Sequence, residues 1–493
     1  MKYILGLLLM SSFFVSTLPA ATQVVTLPGK SPLVTIKIVF RTGSAEDPSG
    51  KEGLASLTAS MIANGGSRNR TYKELVDALY PMAASVSSQV DKEMVTFTGV
   101  THIDNLDAYY AILREMLLEP GWRADDLERL RDNQINGLRV SLRGSNDEEL
   151  GKEVLYNQIY AGHPYGHYNA GTVSGLKNIT IDDLQKFYKD HFTRANLIIG
   201  LAGGYPQAFR QKVEKDFEKL EKGTEAKLKL PAVKPPEGYR VTMIDKQTRS
   251  VAYSIGFPLD VKRGDPDYPA LLVAQSYLGQ HRNSGGLLYT QMRQLRGLNY
   301  GDYAYIEYFP FGMFMFEPLP NLARQQQIFQ IWIRPVEPPT AHFALRLALY
   351  EFQKFLDKGL SQEDFEKSRS FLSKYANLLT KTKEAELGYA IDSLVYGIPD
   401  YNSYLKNALV KLTVADVNKA IKKHLQARNL DIVIVTDKAE QLKQQLVSNQ
   451  PSPMTYNSPK PDEILAEDKT IEKMPLPIKA DRVEIIPVAK VFE

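Results

Sequence analysis

Gly53-Leu54-Ala55-Ser56-Leu57-Thr58-Ala59-Ser60-Met61 decides how this chain is to be read. After Gly53 the run contains only apolar residues and small hydroxyl residues, the makings of a helix. Ser56 and Ser60 stand four apart and share one helix face, with Ala59 beside them. Upstream, Val34-Thr35-Ile36-Lys37-Ile38-Val39-Phe40-Arg41 reads as a strand. Thr42-Gly43-Ser44 and Asp47-Pro48 connect strand to helix. The same order of events returns later. Val251 to Phe257 reads as a strand, Asp265-Pro266-Asp267-Tyr268 as a turn, and Leu271 to Leu278 as an apolar helix.

The repetition extends further. Ile179-Thr180-Ile181-Asp182-Asp183-Leu184 opens a helix that ends near His191, followed by Arg194-Ala195-Asn196-Leu197. Leu412-Thr413-Val414-Ala415-Asp416-Val417 does the same before His424 and Arg428-Asn429-Leu430. The offset is a constant 233 residues (180 to 413, 191 to 424). Thr180 and Thr413 sit at N-cap positions with Asp183 and Asp416 three residues on, the pattern of a capping box. Asp126-Leu127-Glu128 is echoed by Asp364-Phe365-Glu366, and Glu149-Leu150-Gly151 by Glu386-Leu387-Gly388. Echoes in matching order indicate internal duplication. Between the copies, Lys222-Gly223-Thr224-Glu225 with Pro231, Pro235 and Pro236 marks a linker. The expected fold class is α+β, built as two homologous mixed α/β halves. The boundaries are 22–220 and 240–445, with a linker at 221–239 and a tail at 446–493.

These features resemble the M16 (pitrilysin-like) metallopeptidases. The likeness rests on the Gly-Leu-Ala frame with Met61, the duplication, His163-Pro164-Tyr165-Gly166, and Phe187-Tyr188-x-x-His191-Phe192-x-x-x-Asn196. The resemblance implies two halves closed like a clamshell around a chamber. M16 enzymes carry an inverted zinc motif, G-x-A-H-x-x-E-H, on this helix. Here Ser56 and Ser60 replace the two histidines, and Ala59 replaces the general-base Glu. Counting on by the family's spacing, the third ligand position falls on Gly137. Histidines at i and i+4 converge on one metal ion, and a Glu between them takes the proton of bound water. A serine hydroxyl is a poor zinc ligand at neutral pH, and alanine has no acceptor. The resemblance therefore implies a fold with no cofactor of its own.

A second signature of the family matches Gly285 to Tyr300, with Arg293 on a helix, Gly297-Leu298 after it, and Tyr300 seven residues on. In the family such a pair crosses the chamber, holds substrate backbone and stabilises the oxyanion. Arginine donors that never deprotonate and a phenol O–H suit that task. From the residues alone, Arg293 also fits a solvated helix position and Tyr300 a packed aromatic. Arg296 stands at the wrong spacing from Tyr300. Some M16 peptidases are heterodimers in which one subunit has lost the zinc motif. The resemblance implies that arrangement: a partner with intact H-x-x-E-H and zinc, with unfolded peptide as substrate. The alternative is a peptide-binding or scaffold protein with no part in catalysis.

Composition narrows the classes further. A net charge of +3, with no basic block interleaved with aromatics, argues against a nucleic-acid or membrane-surface role. Lys2, the apolar run Ile4 to Val15 and Leu18-Pro19-Ala20-Ala21 predict a signal peptide over 1–21 and export, most simply to a bacterial periplasm. With no cysteine there is no disulfide framework. The tail ends in a strand-like Val483 to Val488 and either wraps back or stays free. His163 and His167 flank residues that break a helix, which favours a loop over a metal site. Glu148 and Glu149 read as a solvated helix face.

Overall fold

The computed structural model describes residues 22–225, 228–282, 284–312, 315 and 317–493. The leader expected over 1–21 lies outside the described residues. The first half forms a sheet of β1 (Gln23–Pro28), β2 (Leu33–Phe40), β3 (Ser85–Val90), β4 (Val95–His102) and β5 (Leu197–Gly203), in the order β1-β5-β2-β4-β3. The second half has β6 (Tyr239–Asp245), β7 (Val251–Leu259), β8 (Gly301–Tyr305), β9 (Gln327–Val336) and β10 (Leu430–Thr436). The tail adds β11 (Val483–Pro487), and the order is β11-β6-β10-β7-β9-β8. Without β11 the two orders are the same. In each half the first and last strands pair in parallel and the other pairings are antiparallel. The offset of 233 residues carries the bounds of β5 onto those of β10, and helix Ile181–His191 onto helix Val414–His424. Both helices open with a complete capping box, on Thr180 with Asp183 and on Thr413 with Asp416.

Val34 to Phe40 are all buried, because both faces of the first sheet are covered. Part of that cover comes from the other half. Helix Lys383–Tyr396 lies on β1, β2 and β5, while helix Asp147–Ile159 lies on β7 and β10. Each half therefore lends a helix to its neighbour's sheet. Glycines permit the close approach: a Cβ on Gly151 would meet Ser254 Oγ at 2.9 Å, and one on Gly200 would meet Ile391 Cδ1 at 2.8 Å. The repeated Glu-Leu-Gly marks these exchanged helices. This corrects the expectation for Glu148 and Glu149. They are 2% exposed, because their helix is sandwiched between the halves rather than facing water.

The tail wraps back along both halves. Its helix Asp462–Ile471 brings Glu467 and Asp468 to the buried Arg296, each at 2.8 Å. After β11, Phe492 stacks on Tyr168 in the first half, with ring centroids 5.5 Å apart. The Glu493 carboxylate accepts from Arg139 at 2.8 Å and Arg143 at 2.9 Å. No helix among the described residues is long and apolar enough to cross a membrane.

Candidate functional site

The motif helix runs Leu54–Asn64, and its N-cap is Gly53 at φ 103°. A Cβ there would press against Ala170 O at 2.9 Å, so glycine is required twice over. The cap itself comes from a distance. The Asp47 carboxylate accepts from the N–H of Gly53 at 2.8 Å and of Ala55 at 2.7 Å, satisfying the free donors of the first turn. His167 Nε2 lies 3.1 Å from the same carboxylate. His163 accepts from the Tyr165 N–H at 3.0 Å through Nδ1, and Tyr165 OH bonds Glu93. Both histidines thus sit in a loop that braces the motif helix.

Along this helix Ala55, Leu57 and Ala59 are buried, while Ser56 and Ser60 are half-buried and face a cavity of about 540 Å³. Leu130, Asn133 and Gln134 of helix Ala124–Asn136 form a second wall. Ser88, Gln89 and Val90 of β3 form a third. Gly137 is the C-cap of the second-wall helix, four residues past Asn133, and does not line the cavity. Zinc does not fit these donors, which are neutral hydroxyls and amides in place of imidazole and carboxylate. Among the described residues no cluster of three or more His, Cys, Asp or Glu is placed to hold a metal ion.

The fourth wall comes from the second half, through Tyr308, Pro310 and Phe311 in the connection between β8 and β9. A buried charge network holds it. The Phe311 N–H donates to Glu149 Oε2 at 2.8 Å. Lys152 bonds Glu149 at 2.5 Å, donates to Phe309 O at 3.2 Å and lies 3.9 Å from the centre of the Trp332 ring. Glu148 pairs with Arg334, and Tyr308 OH donates to Glu153 at 3.0 Å. Arg324 sits 3.6 Å over the Tyr308 ring and pairs with Asp91. Burial pushes the Glu153 carboxyl up, and the Glu149 charge adds to this; burial pushes the Lys152 ammonium down.

Arg293 and Tyr300 are brought together elsewhere. Arg293 lies on the π-helical turn Tyr289–Gln294, and Tyr300 directly precedes β8. Arg293 Nη1 donates to Tyr300 O at 3.0 Å, and the guanidinium lies 4.2 Å over the Tyr300 ring. Tyr300 is 55% exposed and opens on a cleft shared with the tail, not on the serine-lined cavity. Beneath the pair, Asn299 bonds the buried Asp302. Burial pushes that carboxyl up to about 8, against the pull of Asn299 and Arg293.

Residues 24–172 match the family described as Insulinase (Peptidase family M16), and residues 178–372 match the one described as Peptidase M16 inactive domain. The chain belongs to the M16 family. Its relatives include YmxG of Helicobacter pylori, described as a non-peptidase homolog, at 22% identity over 83% of this chain and 90% of that one. A probable mitochondrial-processing peptidase subunit beta of Arabidopsis thaliana is 26% identical over 55% of this chain and 51% of its own length. The fold is shared with the M16 inactive domain structure from Pseudomonas fluorescens, with a TM-score of 0.72 and 22% identity over 84% of this chain and 94% of that one. The two-half M16 architecture expected from the sequence is therefore present.

Sequence reading missed the aromatic wall and the Glu149–Lys152 network behind it. The one available signal was Gly151, a glycine within an otherwise strong helix, which marks a close approach to another element.

Proposed function

We propose that this chain is a zinc-less M16 subunit, exported with its leader, that is inactive alone and completes a heterodimeric peptidase. The serine-lined cavity forms part of the chamber wall and holds unfolded peptide. Arg293 and Tyr300 grip substrate backbone and stabilise the oxyanion in a complex whose partner carries H-x-x-E-H and zinc. The observation that carries this reading is the contrast between two signatures. The motif helix is kept and capped, yet it faces its cavity with hydroxyls only. The Arg293–Tyr300 pair is assembled and open to solvent. A partly exposed, pre-paired guanidinium and phenol can engage a second chain without rearranging a core.

The test is peptide hydrolysis by the chain mixed with a zinc-bearing M16 partner, with Arg293→Ala alongside. Activity in the mixture, lost by at least about a hundredfold in the variant, is expected from removal of an oxyanion donor. Unchanged activity with Arg293→Ala sinks the complementation. A second reading is favoured by the relative described as a non-peptidase homolog. On that reading the chain binds peptides or supports an assembly without entering catalysis, and Arg293→Ala alters neither.

A further inference from the structure

Resting on the reading of the serine-lined cavity as a peptide site, we infer that this cavity selects uncharged segments of the bound peptide. Charged residues make up 24% of the chain, yet none of the described residues lining this cavity is charged. Besides its serine hydroxyls, its polar side chains are the amides of Gln89, Asn133, Gln134 and Asn169 and the phenols of Tyr168 and Tyr308, and Phe311 supplies a further ring. Gln89 and Gln134 already direct their amide N–H groups to backbone carbonyls, of Pro320 at 3.0 Å and Ala170 at 2.8 Å. The side-chain carbonyls of both remain as acceptors, and Gln134 keeps one N–H as well, a set that suits a peptide amide.

Most of the charges behind the walls are paired, and Glu153 is capped by the Tyr308 O–H at 3.0 Å. Asp91 is taken by Arg324, Glu149 by Lys152 and Glu148 by Arg334. An ammonium or carboxylate entering the cavity would lose its hydration and find only dipoles. An amide backbone with neutral side chains would find hydroxyl and amide partners. Phe311 adds a prepared surface. The residue is 47% exposed, and its backbone, at φ 56°, an unusual conformation for a residue with a Cβ, is tied by its N–H to Glu149. Such strain is kept where the surroundings over-determine it, and ligand clamps are one such place. β3 favours an extended peptide over an uncharged glycan. It ends the first sheet, with no strand beyond it among the described residues, and Ser88 to Val90 on it line the cavity.

The experiment is calorimetric titration of the full chain with short acetylated and amidated peptides of Ser, Asn, Leu and Phe. Versions with the central Leu replaced by Lys or by Asp are titrated beside them. The neutral peptide is expected to bind at least about tenfold more tightly than either charged version. Phe311→Ala is expected to weaken the neutral peptide about tenfold. Ser60→Asp should improve the Lys peptide and worsen the Asp peptide, and Gln89→Lys should do the reverse. These grafts test the charge rule even if Phe311→Ala perturbs folding. Equal binding of all three peptides, still weakened by Phe311→Ala, overturns the charge selection and leaves the peptide site standing. No binding of any peptide overturns both. Binding of cellotetraose in place of the peptides, sensitive to Phe311→Ala, reassigns the cavity to glycans.

Discussion

The two halves carry the same scaffold and use its interior differently. In the first, the motif helix, helix Ala124–Asn136 and β3 enclose an open cavity of about 540 Å³ with no charge among its described lining residues. In the second, helix Tyr268–Gly279, helix Gln362–Leu379 and β8 stand in the corresponding places. There the open space is about 60 Å³ and is lined by aromatic rings. Arg263 lies within it, bonded to both Glu307 oxygens at 2.9 and 3.1 Å and 5.0 Å from the centre of the Tyr401 ring. One copy of the duplicated unit is a strut with a narrow, aromatic-lined interior. The other has lost its ligands without filling the space. Loss of metal chemistry alone would leave a void free to collapse. Here the void is backed by a buried charge network that joins the two halves, as the proposed peptide site requires.

The largest effect that would break this comparison is in the strut. Arg263→Leu strands the Glu307 carboxylate beside apolar surface and is expected to cost about 3–5 kcal/mol in chemical denaturation. Ser60→Ala, at the corresponding cavity of the first half, should stay within about 0.5 kcal/mol of the parent. Equal losses at the two sites would show that the first cavity is also a structural core. Next, Phe492→Ala removes the ring that ties the tail to Tyr168 and should cost about 3 kcal/mol. A negligible change would mean that the tail does not clamp the halves.

The Arg293–Tyr300 region adds a pH signature. The folded chain keeps on Asp302 a proton that the unfolded chain releases near 3.8. The stability this proton contributes is full below that value and is lost as pH rises to about 8. Asp302→Asn should therefore flatten the fall in urea midpoint between about pH 5 and about pH 8. An unchanged slope removes Asp302 from the explanation. The smallest effects sharpen the duplication itself. Thr180→Ala and Thr413→Ala each remove the same cap and should each cost about 1 kcal/mol. A large inequality between them would show that one copy is held mainly by its tertiary contacts.

Local signals made much of this legible. The capping boxes, the offset of 233 residues and the strand-to-helix order specified two copies of one unit, because caps and periodicity are written in near neighbours. The helix Asp147–Ile159 was misread for the complementary reason. Glu148, Glu149, Lys152 and Glu153 look solvated in sequence, and only the sheet of the other half buries them. The aromatic wall was hidden likewise, since Phe311 is aimed by a carboxylate 162 residues away. Arg296, set aside on spacing, proved to be the anchor for the tail helix.

The most direct measurement is zinc stoichiometry together with peptide hydrolysis on the purified chain by itself. The expected result is no bound zinc and no turnover, with Ser56, Ala59, Ser60 and Gly137 supplying no ligand or base. About one zinc per chain, with turnover abolished by Ser56→Ala or Ser60→Ala, would contradict the reading of this half as a metal-free binding wall.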